Sequence, residues 1–348
     1  MKRAILALAL CACAAVGFAA EEPAAPVPQE LNIIYLVPSD MQPLEGYQQR
    51  LGKILLEIRD FYNRELARLG SSARLRMPLD PATGLVALEE VKGKRPLAEY
   101  PYQTGWQTAL PEIQEYLLTN PRPTRSDRTL ILIPDNREKF GVPFYGWGNY
   151  CFALDYPGFD FADNGQLTEA GMKFLPWYGG MAHELGHGLG LPHTHATVSQ
   201  ERLGGTALMG AGNGTLGVAP TCLTPGDVAF LESSAPCRPF EPRPVVKANQ
   251  MEIAIGRDGD SVRIIGQLPT ACTVRRLVAA YDKDEFGGNN DNYDAESFVI
   301  PFATDGRFDF TFPMSEIHPG KTPKAQIQLR LIHDDSSQEL LRYTLPEA

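Results

Sequence analysis

The 348-residue chain lacks any block of basic residues, has few cysteines, and has no long apolar run after its first 20 residues. Lysine and arginine total 32 against 42 aspartates and glutamates, for a formal net charge of −10. A nucleic-acid binder needs the opposite balance, so nucleic acid is excluded as a partner. The acidity serves solubility rather than marking a site. No later segment approaches the roughly 18 continuous apolar residues of a membrane-crossing helix, so no transmembrane segment is expected. Internal repeats and long low-complexity tracts are also missing, which argues against a repeat architecture.

What is present begins with an export signal over residues 1–20. Lys2 and Arg3 open it, Ala4–Val16 is a short apolar run, and Gly17-Phe18-Ala19 places small residues at a cleavage site. A rival reading takes Leu10-Cys11-Ala12-Cys13 as a lipoprotein signal with an anchor at Cys13. The expected location is secreted or periplasmic. Removing Lys2 and Arg3 takes the net charge from −10 to about −12. Cys151, Cys222, Cys237 and Cys272 remain. Four cysteines allow three full pairings; a Cys222–Cys237 bridge is favoured by closeness in sequence, and four buried free thiols are the alternative.

Residues 21–30 are proline- and alanine-rich and read as a disordered start. Leu31–Val37 then reads as a strand and Tyr47–Leu69 as an amphipathic helix, with apolar residues at three- and four-residue steps. Strands are expected at Ala73–Met77, Leu85–Val91 and Thr129–Ile133, and a helix at Trp106–Leu118. Residues 141–155 read as an edge strand or loop followed by a short strand. A helix covers 174–189, and Thr224-Pro225 caps a last helix running to about Ser233. This order implies an α/β (α+β) domain over residues 31–240, ending near the proline-dense stretch Pro239–Pro244. Seven short strand-like runs follow without helical periodicity: Met251–Ile255, Ser261–Leu268, Val274–Tyr281, Ser297–Phe302, Phe308–Phe312, Gln326–Ile332 and Leu340–Thr344. They predict an all-β sandwich of immunoglobulin-like type over 248–348.

The chemistry is carried by His183-Glu184-Leu185-Gly186-His187-Gly188-Leu189-Gly190-Leu191-Pro192-His193. Residues four apart share a helix face, so His183 and His187 can converge on one metal ion. Gly190 ends the helix, and His193 returns as a third nitrogen ligand. Three protein ligands leave a fourth position open, as catalytic zinc requires, with Glu184 beside it as the base. The spacing is the metzincin signature, which also asks for a downstream methionine turn. Thr206-Ala207-Leu208-Met209-Gly210 supplies it, with Met209 16 residues after His193. The expected fold is therefore a metzincin-type domain, a twisted mixed sheet with an active-site helix, and the expected cofactor is one Zn2+.

The segments LNIIYLVPSD, GVPFYGWGNYCFALDYPGFD, WYGGMAHELGHGLGLPHTH and GTALMGAGN resemble those of the O-glycopeptidases of mucin-degrading gut bacteria, strongly over residues 31–236. That resemblance implies an endopeptidase that cuts just before a serine or threonine bearing an O-linked glycan, with the GalNAc core as the handle. It implies zinc ligands at His183, His187 and His193, a base at Glu184, and substrate contacts at Phe144 and Tyr145. Trp147 is a further candidate contact, since aromatic faces suit sugar rings; the same aromatics can simply pack the core. Trp147 and Tyr150 depart from the family's residues there, which leaves the accepted glycan form open. The expected partner is an O-glycosylated protein such as mucin, and a monomer is expected. Ala211 stands where some metzincins carry a tyrosine ligand.

Trp177 and Tyr178 are expected to anchor the active-site helix. His195, His318 and His333 are expected outside the ligand set. Asp155 and Asp160 are better read as solvated or turn-capping acids than as a calcium site. Two other functions remain open at this stage: a secreted metzincin protease without glycan dependence, and a glycan-binding protein with a structural zinc. An intact Glu184 argues against the second.

Overall fold

The computed structural model describes residues 27–101, 104–135, 144–238, 245–248, 251–269, 272–283, 292–320 and 325–345. The leader with Cys13, most of the 21–30 segment and the proline-dense stretch 239–244 lie outside the described residues.

The N-terminal part is built on five strands: β1 (Glu30–Val37), β2 (Glu89–Lys92), β3 (Arg125–Pro134), β4 (Phe144–Trp147) and β5 (Tyr150–Asp155), in the order β2-β1-β3-β5-β4. Neighbours pair in parallel except β4, which runs antiparallel to β5 and forms an edge. Seven consecutive residues of β1, Leu31–Val37, are buried, as a central strand covered on both faces requires. Helix α1 (Tyr47–Arg68) buries the stripe read from the sequence, from Leu51 to Leu66. It packs beside α3 (Glu169–Gly188), and the Tyr62 hydroxyl donates to the Ala182 carbonyl at 2.8 Å. Helix α2 (Trp106–Thr119) precedes β3 in the chain. Gly146 of β4 faces α3, so Trp147 points the other way and stacks on Trp106 of α2, with centroids 4.3 Å apart.

The segment then runs through α4 (Val198–Gly204), β6 (Thr206–Ala207), β7 (Thr221–Cys222) and α5 (Pro225–Leu231). Thr224 caps α5 through a capping box with Asp227, and a proline occupies the first turn.

All seven C-terminal runs are strands: β8 (Glu252–Asp258), β9 (Ser261–Gln267), β10 (Val274–Asp282), β11 (Glu296–Ile300), β12 (Arg307–Pro313), β13 (Gln326–His333) and β14 (Gln338–Thr344). They form two antiparallel sheets, β11-β10-β13-β14 and β12-β9-β8. Val262, Ile264 and Phe308 of the smaller sheet share one core with Leu277, Ile327 and Leu329 of the larger. Phe298 and Phe312 stack between the sheets at 4.2 Å. Val278 and Ile332 instead join the N-terminal core, and Arg276 pairs with Glu232 at 2.6 Å.

Three expectations are corrected. Ala73–Met77 is extended but forms no strand: its amides bond irregularly to the Pro236 and Cys237 carbonyls. The strand expected at Leu85–Val91 begins only at Glu89, because Val86 makes a single bridge to Leu79. The favoured Cys222–Cys237 bridge is absent, and all four cysteines described are free. Cys222 lies on β7 with its thiol donating to the Gly205 carbonyl, while Cys237 lies beyond α5.

Candidate metal centre

Helix α3 delivers the centre because both its ends are fixed. Thr168 caps the first turn by accepting from the Gly171 amide at 3.1 Å. Trp177 is fully buried and anchors the middle, its indole N–H donating to the Leu154 carbonyl at 2.8 Å. At the far end the Leu191 amide donates to the Gly186 carbonyl and the Gly190 amide to the His187 carbonyl, both at 2.9 Å. This pair of bonds is a Schellman motif, which needs a left-handed residue after the cap; Gly190 supplies it at φ 98°. The chain reverses there and brings His193 back over the helix.

His183, His187 and His193 therefore converge, each offering a nitrogen within 4.8 Å of the others. The His187 and His193 Nε2 atoms stand 3.0 Å apart. The His183 Nδ1 donates to the Leu208 carbonyl and the His187 Nδ1 to the Leu191 carbonyl, both at 2.8 Å. A carbonyl acceptor requires a proton on Nδ1, so both Nε2 atoms carry lone pairs aimed inward. Burial pushes the His183 pKa down to about 4, helped by the neighbouring His187, and also lowers that of His187. Both rings are thus held neutral, the form that binds metal. His183 Nε2 is buried with no hydrogen-bond partner among the described residues. A buried nitrogen left bare is costly, and a cation shared by three neutral imidazoles would satisfy it. The donor set fits one zinc ion.

Glu184 follows His183 on α3, and its carboxylate faces Gly146 of β4. Burial raises its pKa to about 7, opposed by a hydrogen bond from the Gly146 backbone. Gly146 is required there: a Cβ on it would fall 2.8 Å from the His187 Cβ. The edge strand β4 thus lies directly on α3. Met209 is fully buried, with its sulfur against Gly186 on the underside of the same helix turn.

The proposed substrate contacts divide. Phe144 opens β4 opposite Ala153. Tyr145 is half-buried and stacks on Phe152 at 4.7 Å, on the face away from α3. Trp147 is 51% exposed at the strand's end, resting on Trp106. A second cluster, His195, Glu296 and His318, also brings three donors together. Its acid is already engaged by a cation: Lys283 reaches Glu296 at 2.8 Å, and His318 bridges Glu296 and Glu201. Asp160 caps a short turn as expected, but Asp155 is neither solvated nor a cap: it is buried, pairs with Arg50 at 2.8 Å and accepts from Tyr35.

Sequence reading missed Tyr62, whose hydroxyl sits under the ligand helix, and Asp227, which accepts from Thr194 next to His193. Both lie far from the motif along the chain. It also missed Tyr293, whose ring lies 3.7 Å from that of His193. Among the described residues no helix is long and apolar enough to cross a membrane.

No protein-family profile and no curated protein matches the chain. Solved structures do. The crystal structure of wild-type OgpA from Akkermansia muciniphila is similar at 36% identity and a TM-score of 0.83, over 92% of this chain and 94% of that one. Catalytically inactive OgpA in complex with an O-glycopeptide substrate, glycodrosocin, is similar at 35% identity and 0.83, over 92% and 93%. A second crystal form of wild-type OgpA gives 34% identity and 0.82, over 92% of both chains.

Proposed function

Because the chain belongs to the OgpA family of O-glycopeptidases, we propose that it is an exported zinc metalloendopeptidase that hydrolyses O-glycosylated, mucin-type proteins on the N-terminal side of a glycosylated serine or threonine. The observation that carries this reading is the convergence of His183, His187 and His193, with the buried Glu184 next in sequence to His183, in a chain alike to OgpA over nearly its whole length. The reading includes a leader over residues 1–20, a metzincin-type domain over 31–240 and an immunoglobulin-like sandwich over 248–348.

His183, His187 and His193 would hold the zinc. Bound there, the ion supplies a Lewis acid that acidifies water and polarises the scissile carbonyl. The remaining steps belong to the protein. The substrate strand lies along the free edge of β4, where backbone pairing fixes its register. A Glu184 carboxylate oxygen takes a proton from the attacking water as the new C–O bond forms. It then delivers that proton to the amide nitrogen as the C–N bond breaks, leaving a carboxylic acid and an amine. A pKa near 7 suits a group that must accept and return a proton at neutral pH. Trp147, exposed at the end of β4, offers a sugar a flat apolar face.

The test is mass spectrometry of a mucin-type peptide with and without a single GalNAc on threonine, incubated with zinc-loaded protein and with Glu184→Ala. Cleavage immediately before the glycosylated threonine, absent from the bare peptide and from the variant, is expected. Cleavage of both peptides would remove the glycan requirement while keeping a metzincin protease. Undiminished cleavage by Glu184→Ala would overturn the mechanism.

A further inference from the structure

Tyr293 stands 100 positions after His193 and belongs to the β-rich C-terminal part, just before β11. Its ring nevertheless lies over the His193 imidazole, with centroids 3.7 Å apart and planes 25° from parallel. It is also within 11° of parallel to His183, at 6.2 Å. The other two ligand rings are oriented from within the N-terminal part, by the Leu208 and Leu191 carbonyls. Tyr293 stacks on the third, His193, from outside that part.

The backbone around Tyr293 is built to aim it. Asn292, immediately before, has φ 58°, in the left-handed region that asparagine enters more readily than most residues other than glycine. Its buried side chain exchanges two hydrogen bonds with Gln328 of β13, at 3.1 and 2.8 Å, and Gln328 donates in turn to Asp282 at 2.8 Å. Two residues beyond Tyr293, the Ala295 carbonyl accepts from the His195 amide at 2.8 Å, and His195 bridges in parallel to Glu296. The chain leaving His193 is therefore paired to the chain leaving Tyr293.

We infer that Tyr293 is a positioning residue of the metal centre: its ring fixes the plane of His193, so that the C-terminal part completes the centre instead of standing beside it. The inference rests on the zinc triad proposed above. A single aromatic stack corresponds to roughly 3- to 10-fold in affinity, and that range is expected here.

The experiment uses the full chain as wild type, Tyr293→Phe, Tyr293→Leu, Tyr293→Ala and His193→Ala. Zinc affinity is read by competition with a chromogenic chelator, ligand geometry by the visible spectrum of the cobalt(II)-substituted protein, and folding by thermal unfolding of the metal-free forms. Tyr293→Phe keeps the ring and should match wild type in affinity and spectrum. Tyr293→Leu keeps apolar volume without a flat ring; it and Tyr293→Ala should bind zinc about 3- to 10-fold more weakly with an altered cobalt spectrum. Wild-type affinity and spectrum in a folded Tyr293→Leu, with His193→Ala still defective, would overturn the inference and leave the triad standing. Equal zinc binding by wild type and His193→Ala would remove the triad itself, and the inference with it.

Discussion

The buried carboxylate of Asp227 accepts a hydrogen bond from the Thr194 hydroxyl at 3.1 Å, one residue beyond His193. Its other oxygen accepts from the Thr224 amide at 2.8 Å, closing the capping box of α5. One side chain thus ties a helix start to the segment that carries the third histidine. Burial raises its pKa from the usual 3.8 to about 6, outweighing the hydrogen bonds from Thr224 and Thr194. The folded state then holds the proton more tightly than the unfolded chain. The stabilisation linked to that proton is complete below pH 3.8 and lost as pH rises through about 6. Urea unfolding from pH 4 to 7 should show wild type losing on the order of 2–3 kcal/mol relative to Asp227→Asn across this window. A difference that does not change with pH would mean the carboxylate is equally ionised in both states.

Glu184→Gln removes the proton acceptor and keeps the shape. Turnover of an O-glycopeptide should fall by roughly 10²- to 10⁴-fold, while zinc content by atomic absorption stays at one ion per chain. Loss of the metal together with activity would assign Glu184 to holding the centre rather than to proton transfer.

Chelation should abolish cleavage and also loosen the fold, because the ion would bind the folded chain only. With free zinc at about 100 times its dissociation constant, the stabilisation is about 2.7 kcal/mol. Thermal unfolding with and without chelator measures it, and added zinc should restore both melting temperature and activity. Full activity after exhaustive dialysis against chelator would rule out a catalytic metal.

Trp147→Ala should raise KM for a glycopeptide about 3- to 10-fold with little change in kcat, the range of one aromatic contact. An unchanged KM would leave Trp147 as nothing more than the partner of Trp106.

The ligands were legible because a single local rule, two histidines one helical turn apart followed by a glycine stop, specifies their geometry. Strands such as β1 and β10 were legible for a similar reason, as continuous or alternating apolar runs. Asp227 and Tyr293 were not, because their roles depend on contacts 33 and 100 residues from Thr194 and His193. Ala73–Met77 has strand-like alternation, with Ala73, Leu75 and Met77 buried, but its neighbours are turn carbonyls and no ladder forms. Helix α4 was readable and was missed: Thr197 and Gln200 form a capping box that the sequence displays openly.

The free thiols reach beyond the fold. Cys151 is sealed against Gly188, and burial raises the Cys222 and Cys237 pKa values to about 12, so these three offer almost no thiolate to an oxidant or an alkylating agent. An exported enzyme joined by cystines needs an electron acceptor to mature and fails where reductants are abundant. This chain would fold without forming cystines, so a scarcity of oxidant would not hold up its maturation.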